Sequence, residues 1–401
     1  MQEDSPKIIF VDDEPQVLDG LRRALRGQRK NWNMTFCEGG KEALAKIQSA
    51  GCDVLVTDMR MPGMSGLELL KEVRTHSPKT ARIVLSGYTE QKVVIESVDL
   101  VHQALLKPME ASKVQLAIQN CLEAVKCLSS KLKEGIVYLN GMPGLTLTKN
   151  QFTEALNTQP TKSELAAIAA SDPFIGSRLL RVANSPFFGK ALIKIDLEEA
   201  INVVGPEALS QLVAAGKFEQ SEHFPNGIPQ PYIDVLTDSA KMGRLCLEIS
   251  SIMKGNSLSQ PEALTAGLLS FLGRLAFFAI DEEFSTSAMN LDKPIYDSEI
   301  NHFGIDFAKA GATLANLWGM PAYFSTVIEN QLQPSQSKYP SHLLLSLHLA
   351  QIVFHEAKNN LHLFPLPQLD KDFITEHNFW DDTVTILTRY NIPFSKQTNS
   401  T

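Results

Sequence analysis

The sequence predicts a doubly wound α/β domain followed by an all-helical domain. Three observations carry this. Up to about residue 125, short β-branched runs alternate with amphipathic stretches of helical period. Beyond about residue 150 the strand signal disappears and helix follows helix. The composition is that of a globular chain: 401 residues, 44% hydrophobic, 20% charged and 7% aromatic, enough for two or three domains with cores of their own.

The β-branched runs are Lys7–Val11, Asn33–Cys37, Asp53–Thr57, Arg82–Leu85 and Ala104–Leu106. With helical stretches between them, they predict a parallel sheet covered by helices on both faces. In such a sheet the functional groups gather at the carboxyl ends of the strands. A long helical pattern then runs from Glu110 to about Ile136. Val114, Ile118, Cys121, Val125, Leu128 and Leu132 alternate spacings of four and three, a heptad seam. Its first half packs on its own sheet; the excess length predicts a connector helix that could pair two copies of the chain. Gly135–Lys149, with Gly141, Pro143 and Gly144, reads as the linker. Helices are predicted at Lys162–Ala170, Pro173–Ala183, Leu197–Val204, Ile233–Ile252, Gln260–Ile280, Asp306–Leu317 and His342–Lys358. The expected units are 1–125, a connector helix and linker at 126–149, a helical domain at 150–390 and a polar tail at 391–401.

Bulk properties remove several function classes. The net charge is −8 and no dense Lys/Arg run exists, which opposes nucleic-acid binding. The five cysteines, Cys37, Cys52, Cys121, Cys127 and Cys246, form no C-x-x-C pair and are odd in number. That argues against a disulfide framework and a structural zinc site. Met1-Gln2-Glu3-Asp4 lacks the basic and apolar regions of a secretory signal. The longest apolar stretch, Leu264–Ile280, is interrupted by Arg274 and contains Gly267 and Gly273; it reads as a buried helix rather than a membrane span. A cytoplasmic protein is expected.

The chemistry concentrates at predicted strand ends. Asp12 and Asp13 follow the first run, Asp58 the third, Ser86 the fourth and Lys107 the fifth. Gathered carboxylates raise one another's pKa values, and a hard divalent cation such as Mg²⁺ relieves the repulsion through oxygen ligands. A lysine opposite supplies a point charge for a phosphoryl group. The set suits in-line attack on phosphorus by a carboxylate oxygen. Asp58 is the natural nucleophile, Asp12 and Asp13 hold the metal, and Ser86 can donate to a phosphoryl oxygen.

The motifs Ile9-Phe10-Val11-Asp12-Asp13-Glu14, Val56-Thr57-Asp58-Met59-Arg60-Met61-Pro62-Gly63, Leu85-Ser86-Gly87-Tyr88 and Leu106-Lys107-Pro108 resemble the response-regulator receiver family over about residues 6–125. The resemblance implies a CheY-like, flavodoxin-like fold and phosphorylation of Asp58 by a histidine kinase. It also implies Mg²⁺ dependence, a metal contact from the Arg60 backbone carbonyl, and a cis peptide before Pro108. The sequence departs from the pattern at Ala104, where receivers usually carry Tyr or Phe as a rotamer switch. Tyr88, two residues past Ser86, is the candidate for part of that role. Arg60 and Tyr88, if both point inward, would shield an acyl phosphate from water and lengthen its life.

In the second domain, Asp172 is an N-cap, Pro173 fits the first helical position, and Asn184-Ser185-Pro186 stops that helix. Arg178 and Arg181 on it read as a solvated face, with an acidic partner as the alternative. The stretch Ser171–Ser185, with Ala200-Ile201-x-x-Val204-Gly205, Thr265–Arg274, Gly304-x-Asp306-x-Ala308-x-x-Gly311 and Trp318-x-x-Pro321, resembles the HDOD family over roughly 145–350. That family is related to the HD metal phosphohydrolases. At positions where catalytic relatives place metal ligands, this chain has Ser270, Phe271, Phe307 and Gln331. None of these replaces imidazole or carboxylate, so the domain is expected to be metal-free and inactive. His348 and His355 share a helix face but lack further ligands and read as hydrogen-bonded histidines.

The leading expectation is therefore a two-component response regulator without enzymatic output, working by protein–protein contact with an unknown downstream partner. A histidine kinase is its phosphodonor. The runner-up is an HD-type phosphodiesterase or phosphohydrolase, or an inactive homologue inhibiting an active one. A DNA-binding transcription factor is the third, opposed by the charge balance.

Overall fold

The alternation of apolar side chains in the first domain resolves into five parallel strands. They are β1 (Lys7–Val11), β2 (Asn33–Cys37), β3 (Val54–Asp58), β4 (Ala81–Ser86) and β5 (Gln103–Leu106), in the order β2-β1-β3-β4-β5. In this computed structural model, residues 5–87, 95–108, 110–126, 128–139, 143–158, 160–185, 188, 194–218, 224, 227–253, 260–289, 295–358 and 368–394 are described. The strand order is that of flavodoxin-like doubly wound folds. Ile8, Phe10, Val54, Val56, Ile83 and Leu85 turn to one face and Ile9, Val11, Leu55 and Val84 to the other, as a period of two requires.

Helices Gly40–Ala50 and Gly66–His76 cover the second face; Pro15–Ala24 and Ala111–Val125 cover the first. Glycine 66 opens its helix where an added Cβ would stand 2.1 Å from the Asp58 carbonyl oxygen. A capping box of Ser65 and Glu68 fixes the same turn. The carboxyl end of β3 and this helix start are thereby held against each other.

The continuous connector helix is not formed. Ala111–Val125 ends, and Ser129 starts a separate helix, Ser130–Tyr138, by accepting from the Leu132 N–H. A serine offers the backbone a local acceptor that competes with helix continuation, so the heptad pattern spans two helices. Within the span 126–149 lie the helix Ser130–Tyr138 and the start of Thr146–Leu156, so the predicted linker Gly135–Lys149 is helical at both ends. Ser130–Tyr138 lies against the helices Leu272–Ile280 and Phe307–Leu317. At Gly135 a Cβ would meet Ile280 at 2.7 Å.

The rest of the described chain is helical. Asp172 caps Pro173–Asn184 by accepting from Phe174 N–H, with Pro173 in the first turn, as the sequence predicts. The apolar stretch 260–280 forms two helices, Gln260–Leu269 and Leu272–Ile280, and is long and apolar enough by composition to cross a membrane, yet 83% of its most apolar 18-residue window is buried within the fold. Gly273 lets two helix backbones cross, because a Cβ there would lie 1.9 Å from the Phe307 carbonyl oxygen. One apolar core runs from the first face of the sheet through Val114, Ile118, Leu132 and Ile136 into the helical domain.

Candidate functional site

Strand register brings the sequence-distant carboxylates together. Val11 lies beside Thr57, Asp58 beside Leu85 and Ser86 beside Leu106. The residues at or just past these ends, Asp12, Asp58, Ser86 and Lys107, therefore share one edge of the sheet. Lys107 Nζ donates to Asp12 Oδ2 at 2.7 Å and also contacts Asp58 Oδ1. The Arg60 N–H donates to Asp58 Oδ2 at 2.5 Å. The Lys107 N–H donates to the Ser86 carbonyl at 2.8 Å, closing the β4–β5 edge. The peptide between Lys107 and Pro108 is cis, as the resemblance implies.

Asp12 and Asp58 are buried, whereas Asp13 and Arg60 are exposed. Burial pushes the Asp58 carboxyl above its ordinary range, against the opposing pull of Lys107. Burial alone would lower Lys107; its hydrogen bonds to Asp12 and Asp58 win, and its pKa rises. The carboxylate oxygens gathered here suit a hard divalent cation. Among the described residues no three His, Cys, Asp or Glu side chains form a ready metal cage. Here the single ammonium of Lys107 bridges the two buried carboxylates. Ser86 Oγ donates to the Gly87 carbonyl at 3.3 Å. Tyr88 lies outside the described residues. Ala104 sits half-buried on β5 opposite Val84 and lines a cleft of about 670 Å³ between the two domains.

The four positions at which the HDOD resemblance implies ligands in catalytic relatives are occupied by packed side chains. Ser270, Phe271, Phe307 and Gln331 are all buried. Gln331 Nε2 donates to the Ser270 carbonyl at 3.1 Å, and Gln351 Nε2 donates to Gln331 Oε1 at 2.5 Å. Phe271 stacks at a tilt on Phe307, 5.8 Å between centroids, and the Arg274 guanidinium lies 4.4 Å over the Phe307 ring. Arg274 makes a bidentate pair with buried Glu299 at 2.7 and 3.2 Å. His348 Nε2 accepts from the Asp370 N–H, so its Nδ1 carries the proton and donates to the Gln331 carbonyl at 3.0 Å.

Arg178 and Arg181 are not a solvated face. Both are buried, and the acid they meet belongs to the same chain. Arg178 contacts Asp99 Oδ1, and Lys217 Nζ donates to Asp99 Oδ2 at 2.6 Å. Arg181 donates to the carbonyls of Val98 and Val101 at 3.2 and 3.0 Å and lies 4.7 Å over the Trp318 ring. Although burial would raise it, Arg178 and Lys217 hold the Asp99 carboxyl below its ordinary range. A second junction lies one strand away. His102 Nδ1 accepts from the Arg82 N–H at 2.9 Å, so Nε2 donates, to the Val137 carbonyl at 2.8 Å. Arg82 also reaches that carbonyl, and Gln103 donates to the Asn316 carbonyl at 3.1 Å. The hint in the sequence was two arginines among Leu179, Leu180 and Ala183 on a helix with little polar surface.

Comparison with known proteins assigns both halves. A family model of the response regulator receiver domain matches residues 8–119, and one of the HDOD domain matches residues 142–334. The hydrogenase transcriptional regulatory protein HoxA of Cupriavidus necator is 33% identical over 126 residues, covering 31% of this chain and 26% of that protein. The uncharacterized transcriptional regulatory protein YesN of Bacillus subtilis is 33% identical over 122 residues, 30% of this chain and 33% of that protein. The chain thus spans about a quarter to a third of the length of these relatives. Among solved structures, the signal receiver domain of an HD domain-containing protein from Pseudomonas fluorescens Pf-5 has 26% identity and a TM-score of 0.29, covering 30% of this chain and 95% of that one. The MmoQ response regulator of Methylococcus capsulatus has 20% identity and a TM-score of 0.43, covering 56% and 94%.

Proposed function

Because the chain is a two-component response regulator, with a receiver domain at residues 8–119 and an HDOD domain at 142–334, we propose that Asp58 takes up a phosphoryl group and that the HDOD domain answers through protein contacts rather than catalysis. The observation that carries the first half is the meeting of Asp58, Asp12 and Lys107 at one sheet edge. Asp12, Asp13, Asp58 and the Arg60 carbonyl would hold Mg²⁺, which supplies charge neutralisation at the phosphoryl oxygens. A carboxylate oxygen of Asp58 attacks phosphorus in line; the new O–P bond forms as the N–P bond to the kinase histidine breaks. Lys107, now shared between two carboxylates, transfers one of its hydrogen bonds to a phosphoryl oxygen. Ser86 turns its hydroxyl from the Gly87 carbonyl to another. The charge balance at the edge changes, and β4, β5 and the loops above them adjust.

Support for a non-catalytic output comes from Ser270, Phe271, Phe307 and Gln331. Gln331 donates to the Ser270 carbonyl and Phe271 packs against the Phe307 ring, and none of the four supplies an imidazole or carboxylate. We read the HDOD unit as reaching beyond the matched segment to about residue 390, and the protein as cytoplasmic. Incubation with acetyl phosphate and Mg²⁺ should add one phosphoryl group to the intact mass, and Asp58→Asn should abolish it. Uptake that persists in Asp58→Asn would reject the assignment. For the output half, stoichiometric transition metal bound to the purified chain, with hydrolysis of a cyclic dinucleotide, would reject it.

A further inference from the structure

Every residue from Pro173 to Ala183 is buried, Arg178 and Arg181 included. What covers the two arginines is the receiver segment at residues 97–102. It meets them through the Asp99 carboxylate, on Arg178 and Lys217, and through the Val98 and Val101 carbonyls, on Arg181; Val98 and Leu100 flank the acid in sequence. Lifted away, it would uncover two arginines, one of them stacked on Trp318, and arginine and tryptophan dominate protein–protein hot spots. The electrostatics favour an acid there: of the charged groups acting on Arg181, Arg178 and Arg82 repel it and Asp99 attracts it.

The contact is also incompletely filled. The cleft of about 670 Å³ opens beside it, walled by Ala104, Val84 and Leu106 on the receiver and by Arg181, Ser185 and Trp318 on the helical domain. Trp318 Nε1 is buried there without a hydrogen-bond partner among the described residues. A contact selected for permanence would be packed to interior density and would satisfy that donor.

We propose that the Arg178–Arg181–Lys217–Trp318 surface is the output docking site, that residues 97–102 occupy it as an internal stand-in, and that its true occupant is a partner-protein segment presenting a carboxylate between aliphatic residues. This rests on the phosphorylation reading above, because loss of the segment's grip is what uncovers the site. The segment withdraws locally; the packing of Ala111–Val125 on Phe307–Leu317 persists. An occupant longer than the stand-in would also fill the cleft.

The test uses the full chain and a fluorescein-labelled peptide of its own residues 95–104, with an Asp99→Asn version of the peptide as control. Wild type should bind weakly, because the internal segment competes. Asp99→Ala in the protein should bind the peptide at least tenfold tighter, and the control peptide should gain nothing. Adding Lys217→Glu, at a partly exposed position, should return affinity to the wild-type level while circular dichroism stays unchanged. Absence of tighter binding by Asp99→Ala, equal binding of the control peptide, or indifference to Lys217→Glu overturns the proposal. So does a gain explained by self-association of Asp99→Ala in sedimentation, which would make a second copy the occupant. Beryllofluoride on wild type separates the two readings. If Asp99→Ala binds the peptide and beryllofluoride-treated protein does not, the docking surface stands and the phosphorylation switch falls.

Discussion

Removing the Asp99 carboxylate should open the seam between the domains, and the structure sets the size of the effect. Asp99 receives charge-assisted bonds from Arg178, which is 1% exposed, and from Lys217, while its own side chain is 18% exposed. Truncating one member of a buried pair costs about 3–5 kcal/mol, because the remaining charge stays buried without its partner. Partial exposure of Asp99 and Lys217 places this site at the low end, about 3 kcal/mol, or roughly a hundredfold rise in the open population. Phenylglyoxal modifies arginine only when it is accessible, so its rate at Arg178 and Arg181, mapped by peptide mass, reports that population. Asp99→Ala should accelerate labelling of both arginines roughly a hundredfold. Asp53→Ala is the matched control. Its partner Lys133 is 25% exposed and Asp53 35%, a surface pair worth about 0–1 kcal/mol, so labelling should rise less than about fivefold. Rates in Asp99→Ala within twofold of wild type would refute the claim that this carboxylate holds the seam shut.

Three further outcomes follow from other sites. Lys107→Met should abolish phosphoryl uptake and lower the thermal midpoint at pH 7, since Asp12 and Asp58 lose their shared cation; uptake at the wild-type rate by mass spectrometry would contradict the role given to Lys107. Burial depresses His348 from 6.5 to about 4. The unfolded chain therefore binds that proton first, and stability present above pH 6.5 should drain away as pH falls towards 4, by up to about 3 kcal/mol. Urea titrations across that range should show the slope and His348→Gln should flatten it; an unchanged slope would count against a neutral buried imidazole. Gly273→Ala should cost about 1–3 kcal/mol or more by forcing a methyl into the Phe307 backbone, with an unshifted unfolding midpoint as the contrary result.

Much of this fold is legible in the sequence. The five strands were legible because their apolar residues alternate and end in Asp12, Asp58, Ser86 and Lys107, so that topology alone predicts their meeting. The cap at Asp172 and Pro173 was legible because local backbone chemistry decides it. The connector misled because heptad spacing constrains which residues turn inward, not whether the backbone stays helical between them; Ser129 settles that locally. Arg178 and Arg181 misled for a different reason. A charge on a helix reads as solvated unless its counter-ion is visible, and Asp99 lies far away in sequence. Ala104 stands out in the sequence as a missing aromatic, but the cleft it borders is built by atoms of both domains.

The unbroken apolar core has a bearing on how such a protein can be taken apart. Leu132 and Ile136 stand between sheet and helical domain as shared interior, not as a tether. Severing the chain near residue 126 would strand greasy faces on both fragments, inviting aggregation. The whole molecule should melt in one calorimetric step, and grafting a foreign output module behind this receiver would require rebuilding that common interior first.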